Sequence, residues 1–154
     1  HFTGKEALFA EIIGCRLAEV RDGADAVALH DLPPRDALRQ MGARWLSFML
    51  SPRSVAIFRV VVAEGERFPD LAHAFHAAGP EKGLIWLSGW IAEEVRRSRL
   101  RADTPAEVAA SQLIGMLRGD LYLRTVLGLA EPTEAEIAAT VAAATDTFLR
   151  AYGA

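Results

Sequence analysis

Apolar residues in this chain recur at spacings of three and four, with prolines set between the runs, and that pattern predicts helices. Over residues 5–21 the recurring positions are Leu8, Phe9, Ile12, Ile13, Leu17 and Val20, and over 35–50 they are Leu38, Met41, Trp45 and Phe48. Residues 80–98 carry Leu84, Leu87, Ile91 and Val95, with Trp86 and Trp90 as a second stripe. Apolar residues on two sides predict a central, nearly buried helix. Runs at 105–128 and 133–152 follow, the last with Ile137, Val141, Ala144, Phe148 and Tyr152. Pro33, Pro34, Pro52, Pro69, Pro80, Pro105 and Pro132 all fall between the runs, where proline is tolerated at a helix start. Thr3/Glu6, Thr104/Glu107 and Thr133/Glu136 each have the capping-box spacing, a hydroxyl followed three residues later by a carboxylate.

One stretch is ambiguous. Val55, Ile57, Val60, Val61 and Val62 favour a strand by propensity alone. Ser51 as a cap, Pro52 behind it and the Val55/Phe58/Val62 spacing favour a helix, and a lone strand has no partner to pair with. The sequence therefore predicts an all-α fold of seven helices, a short one at 69–78, in one domain. Its longest connection runs over 22–33.

The chain has 154 residues, of which 51% are hydrophobic and 24% charged. That suffices for a core that needs no metal or disulfide. A single cysteine, Cys15, excludes an internal disulfide and fits a reducing, cytoplasmic setting. No apolar run approaches the roughly 18 residues of a membrane span. The chain starts at His1 with no leader sequence, so it is expected to begin part-way through a longer protein. A net charge of -3 argues against a free-standing nucleic-acid binder.

For catalysis nothing assembles: there is no Gly-rich phosphate loop, paired metal-ligand spacing or serine elbow, so no enzyme and no cofactor are expected. Asp70, His73 and His76 share a helical face, but a metal site needs further converging ligands, and surface histidines are the expectation. Arg96, Arg97, Arg99 and Arg101 end a helix, where cations complement its dipole, and read as a solvated terminus.

The first nine residues, His1-Phe2-Thr3-Gly4-Lys5-Glu6-Ala7-Leu8-Phe9, resemble the junction in TetR-family repressors where the DNA-recognition helix ends and the next helix begins. Gly4 departs slightly from the commoner Ser or Asn. Downstream, Arg67 to Ala72, Gly79-Pro80-Glu81 and Leu117-Arg118-Gly119 are similar to the sensor domains of one branch of that family. The resemblance implies that residues 1–4 are the tail of a DNA-binding head otherwise absent. It implies that residues 5–154 form a ligand-binding and dimerisation domain. By the same resemblance, His1 and Lys5 touch the DNA backbone, a small molecule sits between the middle helices, and the last two helices form a four-helix dimer interface. The protein would then be a repressor whose ligand relieves operator binding by the head.

On that basis the expected pocket residues are Trp45, Phe48, Met49, Phe58, Trp86, Trp90, Met116 and Leu117, an apolar wall suited to a hydrophobic or amphipathic ligand. Plain core packing is the competing reading of the same stripes. The expected interface residues are Gly115, Arg118, Gly119, Tyr122, Ala139, Ala142 and Ala143, since small side chains let helices approach closely. Arg118, Asp120 and Arg124 interrupt an apolar helix and have three open roles: a ligand's polar end, a pair across the dimer, or solvent. The alternative function is a helical dimerisation module that binds no ligand.

Overall fold

The computed structural model describes residues 26–154. The helix expected over 5–21, the capping box at Thr3, and His1 and Lys5 lie outside the described residues. Within them the chain forms seven helices: α1 (Ala26–Asp31), α2 (Pro34–Met49), α3 (Pro52–Glu64), α4 (Pro69–Ala78), α5 (Pro80–Arg96), α6 (Ala106–Val126) and α7 (Glu134–Tyr152). Pro34, Pro52, Pro69 and Pro80 each occupy the first helical position, where their missing N–H leaves no bond unmade. Among the described residues no strand forms; an isolated bridge pairs Leu100 with Gly153 beside the end of α7.

Three local expectations need correction. The connection over 22–33 contains α1, a helix too short for its periodicity to register. At Thr104 no capping box forms, because α6 starts one residue later than the box requires: Pro105 is its N-cap, and the Thr104 hydroxyl is buried without a partner. The box at Thr133 does form. Its hydroxyl accepts from the Glu136 N–H at 3.2 Å while the Glu136 carboxylate accepts from the Thr133 N–H at 3.0 Å. The valine-rich segment is helical, capped as expected by Ser51, whose hydroxyl accepts from the Ser54 N–H at 3.3 Å. Its inward residues are Val55 and Val61; Val62 is 64% exposed, one position round from the ridge that packs.

The core is built around α6, which packs against α5 on one side and α7 on the other, with α2 lying across α7. Leu113, Leu117 and Leu121 of α6 are buried with Leu38 and Leu46 of α2, Ile91 of α5 and Phe148 of α7. The close approach of α2 to its neighbours depends on Gly42. A Cβ there would stand 3.0 Å from Val141 Cγ1 and 3.3 Å from Leu117 Cδ2. The helix at 80–96 is less enclosed than its two stripes suggested. Leu87, Trp90, Ile91 and Glu94 face inward, but Ile85 is 65% exposed and Gly89 is exposed as well.

Both ends of the α5–α6 pair close in the same way. After α5, Ser98 takes φ 56° and the N–H groups of Ser98 and Arg99 reach back to the carbonyls of Val95 and Glu94 at 2.9 and 3.0 Å. After α6, Gly128 takes φ 76°, with its N–H and that of Leu129 on the carbonyls of Thr125 and Arg124. These are Schellman turns, which satisfy carbonyls the helix itself cannot. Arg59 of α3 adds to the second, donating to the Val126 and Thr125 carbonyls at 2.7 and 3.1 Å and so fixing α3 to the end of α6. No single helix among the described residues is long and apolar enough to cross a membrane.

Gly42→Val is expected to lower the stability of the chain by about 1–3 kcal/mol, the usual cost of overfilling a packed contact. Urea denaturation followed by circular dichroism measures it.

Candidate functional site

Two residues apart on a helix point to opposite sides, and α6 uses that fact twice. Arg118 and Tyr122, four apart, meet α2 and α3. The Arg118 guanidinium lies 6.0 Å from the centre of the Trp45 ring and 5.7 Å from that of Tyr122. Phe58 packs edge-on against Tyr122 at 5.9 Å and also meets Phe75 of α4 at 6.1 Å. Burial raises the Tyr122 pKa, opposed by the Arg118 charge, so its hydroxyl is held as a neutral O–H.

Met116, Gly119 and Asp120 face the other way. With Arg124 and with Glu136, Ala139, Thr140, Ala143 and Thr147 of α7 they line an open groove of about 500 Å³. The groove lies beside a bend in α6. Gly119 has φ 43° and ψ -158°, values outside any helix and reached almost only by glycine. A Cβ there would meet nothing within 4 Å, so the requirement for glycine is one of backbone and not of space. Polar groups form one side of the groove: Arg124 donates to Asp120 at 2.7 Å and lies 3.5 Å from Glu136. Leu123, Leu127 and Leu129 are exposed close by along the chain, at 55%, 61% and 72%.

A third feature lies where α1 meets α5. Glu94 is fully buried, and its Oε1 accepts from His30 Nδ1 and from Arg99 Nη2, both at 2.6 Å. Arg99 also donates to the carbonyls of His30 and Leu32 at 2.7 and 3.1 Å, and Arg97 donates to the His30 carbonyl at 3.3 Å. The His30 ring stacks on Trp90 with centroids 5.9 Å apart. The Schellman turn at Ser98 makes this possible, because it folds Arg99 back over the helix end that carries Glu94. Arg99 is therefore no solvated terminus, and Arg101 is held too, by Asp103 at 2.8 Å and the Ala151 carbonyl at 3.3 Å. Sequence reasoning missed Glu94. The signal was present: a carboxylate continues the inward stripe of Leu87 and Ile91 at helical spacing.

The residues expected in one pocket are thus distributed over several places. Trp45 and Phe58 meet around Arg118 and Tyr122. Phe48, Met49 and Trp86 are partly buried, and the Phe48 carbonyl accepts the Ser51 hydroxyl at 2.8 Å. Trp90 and Leu117 are core residues, 3% and 4% exposed, and Met116 lies in the groove. Of those expected at an interface, Gly119, Ala139 and Ala143 line the groove, Gly115 is exposed and Ala142 is partly buried. Arg118 and Tyr122 stand with the aromatic rings instead. Asp70, His73 and His76 are exposed, and among the described residues no three His, Cys, Asp or Glu side chains group to hold a metal.

Residues 36–154 match the model of the C-terminal domain of AefR-like transcriptional repressors. Among solved structures, the chain is similar to the flavonoid-responsive regulator FrrA at 31% identity and a TM-score of 0.75, over 99% of this chain and 76% of that one. It also shares the fold of a chain assigned to the TetR family of transcriptional regulators from Mesorhizobium loti MAFF303099. There the TM-score is 0.80 at 24% identity, over 100% of this chain and 78% of the other. No curated protein matches.

Glu94→Ala leaves Arg99 without its carboxylate, and a lost partner in a buried pair typically costs about 3–5 kcal/mol. A thermal melt of that variant should show a large fall in Tm, whereas Arg96→Ala, which removes the exposed pair with Glu93, should change little.

Proposed function

The chain belongs to the TetR family of transcriptional regulators, and we propose that it is the small-molecule-sensing and dimerising domain of a repressor. The observation that carries the sensing half is the group of rings around Arg118: Trp45, Phe58, Phe75 and Tyr122 are partly buried rather than sealed in the core. Aromatic walls with one polar group are what a cavity for a hydrophobic or amphipathic ligand requires. A likeness to a flavonoid-responsive regulator supports the same reading.

Dimerisation is proposed through α6 and α7. Small residues at Gly115, Gly119, Ala139, Ala142 and Ala143 allow close approach, and the exposed Leu123 and Leu127 give a second subunit apolar surface to cover. Two helices from each subunit then make a four-helix contact.

Operator binding belongs to a DNA-binding head ahead of residue 5, to which His1 and Lys5 would add backbone contacts, and a protein so employed works in the cytoplasm. Two recognition helices must lie about 34–36 Å apart to enter successive major grooves. A ligand that prefers a different spacing relieves repression by the difference in its affinity for the two states. The bonds joining His30, Glu94 and Arg99 support a route for that coupling, since they fix the segment at α1 to α5.

A thermal-shift screen with apolar and amphipathic compounds tests the sensing role. A true ligand at a hundred times its Kd stabilises by about 2.7 kcal/mol, with the gain rising with concentration. Trp45→Ala should abolish that gain. A chain that gains nothing from any compound would be a dimerisation module only.

A further inference from the structure

We infer that Arg118 is the anion-recognising residue of the proposed ligand site, and that the ligand is an aromatic monocarboxylate. This rests on the sensing role proposed above and goes beyond it in naming the chemistry recognised.

Among the described residues the Arg118 charge has no acidic partner. Five arginines are matched, Arg35 with Asp146, Arg97 with Glu93, Arg99 with Glu94, Arg101 with Asp103, and Arg124 with Asp120, and Arg44, Arg53, Arg67 and Arg150, which make no ion pair among the described residues, leave no buried guanidinium nitrogen without a partner. Arg118 makes no ion pair among the described residues, and its Nε is buried without a hydrogen-bond partner. Asp120, two positions along, is engaged by Arg124 on the other side of the helix. A buried, unsatisfied donor on a charged group is costly, so few persist without a function.

The surroundings specify what would satisfy it. Rings of Trp45 and Tyr122 lie 6.0 and 5.7 Å from the guanidinium, and Phe58 stacks edge-on against Tyr122. A planar aromatic body can stack there while its carboxylate takes the paired N–H groups of the guanidinium fork, a geometry that lysine cannot reproduce. One cation serves one negative charge, which favours a monoanion over a phosphate.

Binding of 2-naphthoate and its neutral isostere 2-naphthamide to the wild-type chain, measured by calorimetry, tests the inference. The carboxylate should bind about ten- to a hundredfold more tightly than the amide, the range expected of hydrogen bonds to a charged group. In Arg118→Gln the preference should vanish, and Arg118→Lys should restore only part of it. Light scattering on Arg118→Gln should give the wild-type mass. If wild-type protein binds both compounds alike, the inference falls while the sensing role stands. If it binds neither, nor any compound of the thermal-shift screen, both fall. A loss of dimer in Arg118→Gln would assign the unpaired guanidinium to the partner subunit and overturn the inference. Should that variant fail to fold, the wild-type ratio alone decides.

Discussion

A backbone at φ 43° and ψ -158° suits glycine and almost no other residue, and in this chain it occurs inside α6, the helix that packs against α2, α3, α5 and α7. Before Gly119, α6 contributes Leu113 and Leu117 to the core; after it, Leu121 and Thr125 continue the same inward ridge. The bend leaves that ridge unbroken, and a groove lies beside it on the outer side, against α7. It also keeps Arg118 and Tyr122 on α2 and α3, away from the small residues that face outward. In the proposed function those two sides serve two partners, a ligand within and a second subunit without.

The second constraint is electrostatic. A carboxylate as deeply buried as Glu94 is tolerable only because a guanidinium and an imidazole meet it. That requirement is met by folding the chain back at Ser98, a non-glycine residue held at positive φ. The outcome is a polar joint between α1 and α5 in a mostly apolar interior. Apolar contacts can slide, whereas hydrogen bonds of this kind fix the direction as well as the distance between the elements they link.

Much of the fold was legible because proline and helical periodicity point the same way. The four prolines at first helical positions and the capping box at Thr133 are local signals, and local signals need no knowledge of the tertiary contacts. Six residues of α1 give too little periodicity to read. The site was harder. An inward stripe identifies the buried residues but not which of them touch a ligand, and it does not separate Trp90 and Leu117, both sealed in the core, from Trp45 and Phe58, which are partly buried. Arg99 is hard to read for a related reason: sequence position puts it at a helix end, but its partners are settled by the turn at Ser98 and by a segment far away in the chain.

The proposed function depends most on α6 and α7 holding two subunits together, because a single subunit cannot set the spacing of two recognition helices. Light scattering across a dilution series of the 154-residue chain tests this most directly. A dimer held by these helices gives a mass of twice 16.7 kDa that persists to micromolar concentration. A monomer at that concentration would contradict it.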